Sequence, residues 1–201
     1  DPARVVALTS PGTWLVLQGY FKPFAAVRHV HYGAQAALSW REALDTQTQS
    51  ITAIRLQTYP EAVIYCGNRA PVNAIQAQFS LTYGLAHALV RGSLGPMAYD
   101  LDTLADDEIR RLESLVVVEG TDRFSTGRGA HLTITRDGAE TSIEIDRVDG
   151  DPDQPMATAD VIAKFERFAA PRLGAANAAA LANRIVYAPL DQSLGDVLNG
   201  A

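Results

Sequence analysis

The chain contains very little cysteine and very little lysine. Its 201 residues include one cysteine, Cys66, and two lysines against fifteen arginines. A single cysteine excludes an intrachain disulfide, a cysteine-rich zinc site and an iron–sulfur cluster held by several thiolates. Cys66 stands between a tyrosine and a glycine, and a lone cysteine of this kind is more often a small buried apolar residue than a nucleophile.

Long apolar runs and an excess of positive charge are missing as well. No apolar run approaches the roughly 18 residues that a transmembrane helix needs, so we expect no membrane partner. The net charge of −6 and the pI near 5.1 argue against nucleic-acid binding, because the basic residues are dispersed and outnumbered. Hydrophobic residues make up 47% of the chain, which is enough for a core. We therefore expect a compact cytoplasmic protein.

Residues 21–31 bring one lysine, one arginine and two histidines into a short stretch. Pro23 favours an extended conformation at Lys22, so a helix can begin soon afterwards. Apolar residues then recur at three- and four-residue steps, which predicts a helix from about residue 25 to 44. On that helix Arg28 and His31 are neighbours, and the positive end of the helix dipole would strengthen their attraction for an anion. The simplest such anion is a carboxylate.

Two interpretations of this cluster stay open from the residues alone. Taken singly, each of these side chains is more often a solvated or structural residue. For the cluster with its apolar flanks, an anion site and a purely structural role are about equally favoured. A metal site is not indicated, because His29 and His31 are two residues apart and would point to different faces of a helix.

The remaining periodicities predict an α+β fold. Its small mixed or antiparallel sheet packs with two long helices, and a C-terminal helical extension follows. An acidic stretch rich in proline and glycine, residues 149–155, marks a boundary between residues 1–150 and residues 151–201. Strands are predicted at 13–17, 50–58 and 115–119 and in a hairpin around the Arg136-Asp137-Gly138 turn, and helices at 72–90, 103–115, 159–169, 175–186 and 191–198.

The predicted helix at 72–90 carries four large side chains at four-residue steps: Ile75, Phe79, Tyr83 and His87. Core packing is the favoured interpretation, because aromatic stripes at helical spacing are mostly core. The alternative is the wall of a site into which the Tyr83 hydroxyl and the His87 imidazole point.

Three segments together resemble the MmgE/PrpD family. Phe21-Lys22-Pro23-Phe24, followed by Arg28 and His31, resembles its lysine–proline–aromatic, arginine, histidine signature. Residues 77–89 resemble its alanine–glutamine–phenylalanine–serine helix, and residues 160–165 resemble its closing helices. The resemblance covers only the C-terminal half of that family, whose members are typically more than twice as long and begin with a large helical domain. We therefore expect a fragment, a split subunit or an isolated domain.

The resemblance also implies a domain organisation. Residues 1–150 would form the family's small α+β domain, and residues 151–201 the helical extension that in relatives packs on the large helical domain. That N-terminal domain of the same protein is the first expected partner. A homo-oligomer such as a homodimer is the second.

The resemblance also implies a type of reaction: removal of a proton from the carbon next to a carboxylate, without a cofactor or metal. Family activities include 2-methylcitrate dehydration, cis-aconitate decarboxylation and iminodisuccinate epimerisation, and the substrates are small polycarboxylates. Because Ala26 and Val27 stand where relatives often carry cysteines or a histidine, the decarboxylase is the least expected of the three. We expect a 2-methylcitrate dehydratase-like lyase, with an epimerase (isomerase) of an iminodisuccinate-like dicarboxylate, or a non-catalytic binding or assembly module, as alternatives.

The same resemblance suggests a role for each candidate residue. Lys22 would bind a carboxylate or donate a proton, and Arg28 would orient a carboxylate. His31 would act in acid–base chemistry or support it, and Tyr83 would bind substrate through a hydrogen bond or relay a proton. Other acid–base residues of relatives lie in the helical half, so the isolated chain is predicted to be inactive.

Overall fold

The computed structural model describes residues 18–44, 47–124, 127–189 and 191–199. The chain divides into two compact units, Asp1–Gln154 and Pro155–Ala201. The strand predicted at 13–17 lies outside the described residues.

The first unit combines helices with one sheet. Its helices are α1 (Arg28–Leu44), α2 (Pro60–Cys66), α3 (Ala74–Gln78), α4 (Leu81–Arg91), α5 (Leu101–Leu104) and α6 (Asp107–Leu115), with 3-10 turns at Pro96–Tyr99 and Asp122–Phe124. Its strands are β1 (Ile51–Thr58), β2 (Val116–Gly120), β3 (Ala130–Arg136) and β4 (Ala139–Ile145).

The four strands form a mixed sheet in the order β2-β1-β3-β4. β1 pairs in parallel with β2 and antiparallel with β3, and β3 and β4 form an antiparallel hairpin. Asp137 and Gly138 have φ angles of 52° and 78°, as the two central residues of a tight hairpin turn of the I′ type require. The predicted α+β fold with a small mixed sheet is confirmed.

One face of the sheet forms the core. Ile54, Leu56, Leu132 and Ile134 are fully buried, whereas Arg55 on the opposite face of β1 is exposed. Helix α1 packs on β3, β4 and α4, and α6 packs on α4 and β1. The burial of Ile51, Ile54 and Leu56 that the alternation predicts in β1 is confirmed. The first turn of α1 is buried as well.

The prediction of a single helix at 72–90 is wrong, because the helix is interrupted between α3 and α4. The Ser80 hydroxyl accepts a hydrogen bond from the Tyr83 amide (3.1 Å) and donates one to the Asn68 carbonyl (2.7 Å), so it caps α4 and ties it to the preceding loop. As a result the predicted stripe does not lie on one helix. Ile75 and Phe79 are 67% and 43% exposed, whereas Tyr83 and His87 are buried.

The second unit contains α7 (Thr158–Leu173), α8 (Ala175–Tyr187) and α9 (Leu194–Asn199), and α8 packs against both of the others. The helices predicted in this region are confirmed, with α7 longer than expected. Ala157 rather than Thr158 occupies the cap position of α7, and Gly174, with φ of 81°, separates α7 from α8. Within the described parts of the chain, no helix is long and apolar enough to cross a membrane.

The contact between α1 and α4 yields a stability prediction at Gly84. A Cβ on Gly84 would overlap Val30 Cγ1, so these two helices approach through the glycine. Gly84→Ala should lower the free energy of unfolding in urea by about 1–3 kcal/mol, the usual effect of overpacking a core.

Two variants serve as controls for that measurement. Gly95→Ala adds a Cβ into open space and should change the unfolding free energy little. Adding Val30→Ala to Gly84→Ala removes the overlapping methyl, so the double variant should lose less stability than the sum of the two single changes. A fully additive result would contradict the close helix contact.

Candidate functional site

The segment before α1 is fixed by backbone hydrogen bonds. The amide of Phe21 donates to the carbonyl of Gly150 (2.9 Å), and the amides of Ala25 and Val27 donate to the carbonyls of Leu94 (3.0 Å) and Gln78 (3.1 Å). Lys22 lies inside this anchored segment, yet its side chain is exposed and forms no ion pair with a described residue. The lysine is therefore a positioned cation open to solvent.

Arg28 begins α1 and is only 4% exposed. Its Nη2 donates to the Asp151 carboxylate. The guanidinium carbon lies 5.2 Å from the ring centroids of both Tyr20 and Tyr32, which provides cation–π contacts in place of water. The charge of Arg28 is thus compensated inside the protein.

His31 extends this network. Its Nε2 lies 3.2 Å from the Ala26 carbonyl, and its Nδ1 lies 3.4 Å from Arg28 Nη1. A carbonyl can only accept, so Nε2 carries the proton and donates to Ala26, and Nδ1 accepts from Arg28. The imidazole is fully buried, with Phe24 edge-on at 5.2 Å. In this geometry a neutral His31 orients Arg28.

The loop that supplies Asp151 is itself closed by hydrogen bonds. The Gly150 amide donates to the Gln154 carbonyl (2.8 Å), and the Gln154 amide donates to the Asp151 carbonyl (3.0 Å). Gly150 has φ of 97°, a conformation that favours glycine. The loop therefore presents the Asp151 carboxylate to Arg28 and the Gly150 carbonyl to Phe21 at the same time.

Tyr83 lies in a different cluster, within the core. Its hydroxyl donates to the Ala98 carbonyl, and Arg110 lies over its ring at 5.6 Å. Burial raises the pKa of Tyr83 to about 12, with smaller opposing effects from charged neighbours. No described hydrogen bond joins it to Lys22 or Arg28. The structure thus brings Arg28 and His31 together beside the surface segment of Lys22, and it places Tyr83 elsewhere.

A second polar pair connects α1 to the residue that precedes α2. The Tyr59 hydroxyl lies 2.7 Å from His29 Nδ1, and the Tyr65 ring stacks on the imidazole at 5.5 Å. Burial raises the pKa of Tyr59, so the phenol stays protonated beside the imidazole. Burial lowers the pKa of His29, the Arg128 charge acts in the same direction, and Glu61 opposes them.

A cleft of about 520 Å³ lies beside the Arg28–Asp151 pair. Its walls include Tyr32 and Asp151 themselves, together with charged side chains from β4 and from the segments that flank the hairpin. Those charged side chains are Arg123, Arg128, Glu144, Asp146, Arg147 and Asp153. In the described ranges no group of three or more His, Cys, Asp or Glu side chains is arranged to bind a metal.

The sequence gives no local signal for most of these partners. Asp151 is 123 positions from Arg28, and the loop around it was identified only as a boundary. Tyr59, Arg128 and Arg147 were likewise missed, because no periodicity or spacing connects them to α1. The turn-like composition of residues 149–155 was the only available hint that this loop has a fixed structure.

Removal of the Asp151 carboxylate should destabilise the first unit. Asp151→Ala leaves the buried Arg28 charge without its anion, and we expect the free energy of unfolding in urea to fall by about 3 kcal/mol. The matched control is Asp153→Ala, because Asp153 is exposed and forms no ion pair with a described residue. Equal effects of the two substitutions would contradict the proposed importance of the pair.

The His29 environment predicts a pH dependence of stability. The pKa of His29 is lowered in the folded chain, so the unfolded chain takes up the proton more readily. The stabilising contribution is fully present above the ordinary pKa of 6.5 and is lost as the pH falls from there through the lowered pKa of the folded chain. The melting temperature of the wild type should therefore fall between about pH 7.5 and about pH 5.5.

The same measurement on His29→Gln isolates this contribution. The decrease in melting temperature should be smaller in the variant. It should not vanish, because burial also lowers the pKa of His87 and gives a change of the same sign. Identical decreases in the two proteins would show that His29 is not responsible.

Comparison with known proteins gives one family. No curated protein matches the chain. The model of the MmgE/PrpD C-terminal domain matches residues 24–186, a span that includes Arg28, His31 and Tyr83 and begins just after Lys22. That span covers most of the chain. The chain therefore belongs to the MmgE/PrpD family, through the family's C-terminal domain.

Proposed function

We propose that this chain is the small, substrate-binding domain of a cofactor-independent lyase or isomerase. Its substrates would be di- or tricarboxylic acids, and its activity would resemble that of 2-methylcitrate dehydratase. The observation that carries this proposal is the position of Lys22. It is an exposed cation in a segment anchored at Phe21 and Ala25, next to the buried network at the start of α1.

In this proposal Lys22 binds the carboxylate next to the carbon that loses its proton. Proton removal leaves negative charge spread over that carboxylate as an enediolate, and a nearby ammonium stabilises the charge as it develops. In a dehydration the hydroxyl on the adjacent carbon then leaves with a proton as water, and a carbon–carbon double bond forms. The base is proposed to come from the N-terminal helical domain of the family.

The buried residues take positioning roles in this scheme. Arg28 already binds Asp151, so its proposed role is to hold the start of α1 and the 149–154 loop in register with Lys22. His31 orients Arg28. Tyr83 would serve as a hydrogen-bond donor or relay only after its hydroxyl leaves the Ala98 carbonyl.

Those same contacts favour a second candidate, a non-catalytic binding or assembly module. Arg28 and Tyr83 both have polar partners inside the protein. A domain that kept the fold but lost the chemistry would bind a polycarboxylate without turning it over. An epimerase is the third possibility, and it would exchange the proton next to the carboxylate without loss of water.

Calorimetric titration of the 201-residue chain with 2-methylcitrate tests the role of Lys22. Lys22→Ala should weaken binding by about tenfold, because a charge-assisted contact contributes roughly 1.5 kcal/mol or more. Lys164→Ala is the matched control, since it removes the other lysine, which contacts Phe168 in the second unit. If Lys22→Ala binds as tightly as the wild type, the assignment of Lys22 is wrong.

Turnover distinguishes the three candidates. Water elimination from 2-methylcitrate after addition of the family's N-terminal helical domain supports the dehydratase. Proton exchange in deuterated water without water loss supports the epimerase. Binding without either reaction supports the module.

A further inference from the structure

The cleft beside Arg28 contains charges that the protein itself does not neutralise. Arg123 pairs with Glu144, and Asp151 pairs with Arg28 outside the lining, so three lining residues already have ionic partners. The guanidinium groups of Arg128 and Arg147 form no ion pair with any residue between 18 and 199 that the structure describes. The same holds for the carboxylates of Asp146 and Asp153.

The cleft is continuous with the network at the start of α1. Tyr32 lines the cleft and also packs on Arg28 at 5.2 Å, and Asp151 lines it while pairing with Arg28. The Arg128 charge reaches α1 as well, since it acts on the pKa values of His29 and Tyr32. A ligand in the cleft would therefore lie next to residues that hold the Lys22 segment.

The size and charge of the cleft indicate a ligand class. A volume of about 520 Å³ lies within the range of pockets that bind small molecules. Arginine binds carboxylates through two parallel hydrogen bonds, and a carboxylate of the protein accepts from a hydroxyl or an ammonium group. Unpaired charges of both signs fit a small acid that carries such a donor better than they fit a purely anionic ligand.

We infer that this cleft is a subsite for a carboxylic acid bearing a neighbouring hydroxyl or ammonium group. Arg128 and Arg147 bind its carboxylate, and Asp146 or Asp153 accepts a hydrogen bond from the donor. This inference rests on the proposed function and adds two specificity-determining arginines to it. The shared chemistry is a carboxylate next to a donor, which hydroxy acids and amino acids both provide.

Calorimetry on the 201-residue chain tests the two arginines with citrate as the probe. Arg128→Gln and Arg147→Gln should each weaken citrate binding by about two- to fivefold, because both arginines are exposed and an exposed ion pair contributes roughly that factor. Arg55→Gln is the matched control, because Arg55 is exposed on the outer face of β1, away from the cleft walls. It should bind citrate like the wild type.

Two further probes test the donor. Tricarballylate has the carboxylates of citrate but no hydroxyl, and it should bind more weakly than citrate. Aspartate carries an ammonium instead. If citrate binds more tightly than aspartate, the ligands of the subsite are hydroxy acids. If aspartate binds more tightly, they are amino acids. The doubly substituted Asp146→Ala, Asp153→Ala protein lacks both acceptors and should bind citrate and tricarballylate alike. If the wild type binds tricarballylate as tightly as citrate and aspartate, the proposed role of the two carboxylates is wrong.

The outcomes separate this inference from the proposed function. Unchanged citrate binding in both arginine variants, with weakened binding in Lys22→Ala, overturns the subsite and leaves the proposed function intact. If citrate binding is weakened only in the arginine variants, the subsite is supported and Lys22 does not bind citrate. Because Arg128→Gln could alter the nearby loop, amide shifts of Gly127 and Tyr32 on citrate addition to the wild type provide a second measurement, and no shift at either amide overturns the subsite.

Discussion

The buried pair of Arg28 and Asp151 is the constraint on which the candidate site depends. A guanidinium that is 4% exposed must have a partner, because burial of an unpaired charge is strongly unfavourable. The partner comes from a loop that also binds Phe21 through the Gly150 carbonyl. One electrostatic requirement therefore fixes three parts of the chain: the first turn of α1, the loop after the hairpin, and the segment that carries Lys22.

This pair specifies geometry more than it adds stability. Desolvation of two charges offsets much of their attraction, so a buried ion pair contributes little net free energy even though the loss of one partner is severe. The tyrosine rings on either side of Arg28 and the His31 bond reduce its rotational freedom further. An incoming anion meets Arg28 as an already neutralised group. Free cationic attraction comes from Lys22 at the surface, and from Arg128 and Arg147 around the cleft.

Features that depend on neighbouring residues could be predicted from the sequence. The strand β1 and the Asp137-Gly138 hairpin turn depend on local patterns, and both were correctly identified. The neighbouring positions of Arg28 and His31 also follow from helix geometry. The break at Ser80 was missed because apolar periodicity continues across it, and a serine inside such a pattern does not reveal whether its hydroxyl caps a new helix. Asp151, Tyr59 and Arg128 reach α1 only through the tertiary fold.

The apolar side chain of Val27, at the end of the anchored segment, limits the acid–base chemistry near Lys22. Val27 is half-buried, and its amide donates to the Gln78 carbonyl, so its backbone is tied to the end of α3. An apolar side chain there supplies no proton donor where the resemblance implies that relatives often carry one. In the proposed function, acid–base chemistry at this end of the domain would use Lys22 or the family's N-terminal helical domain. His31 and Tyr83 are fully buried, and their polar atoms already bind the Ala26 and Ala98 carbonyls. In the proposed function, this chain therefore binds and orients an acid, and the base comes from the family's N-terminal helical domain.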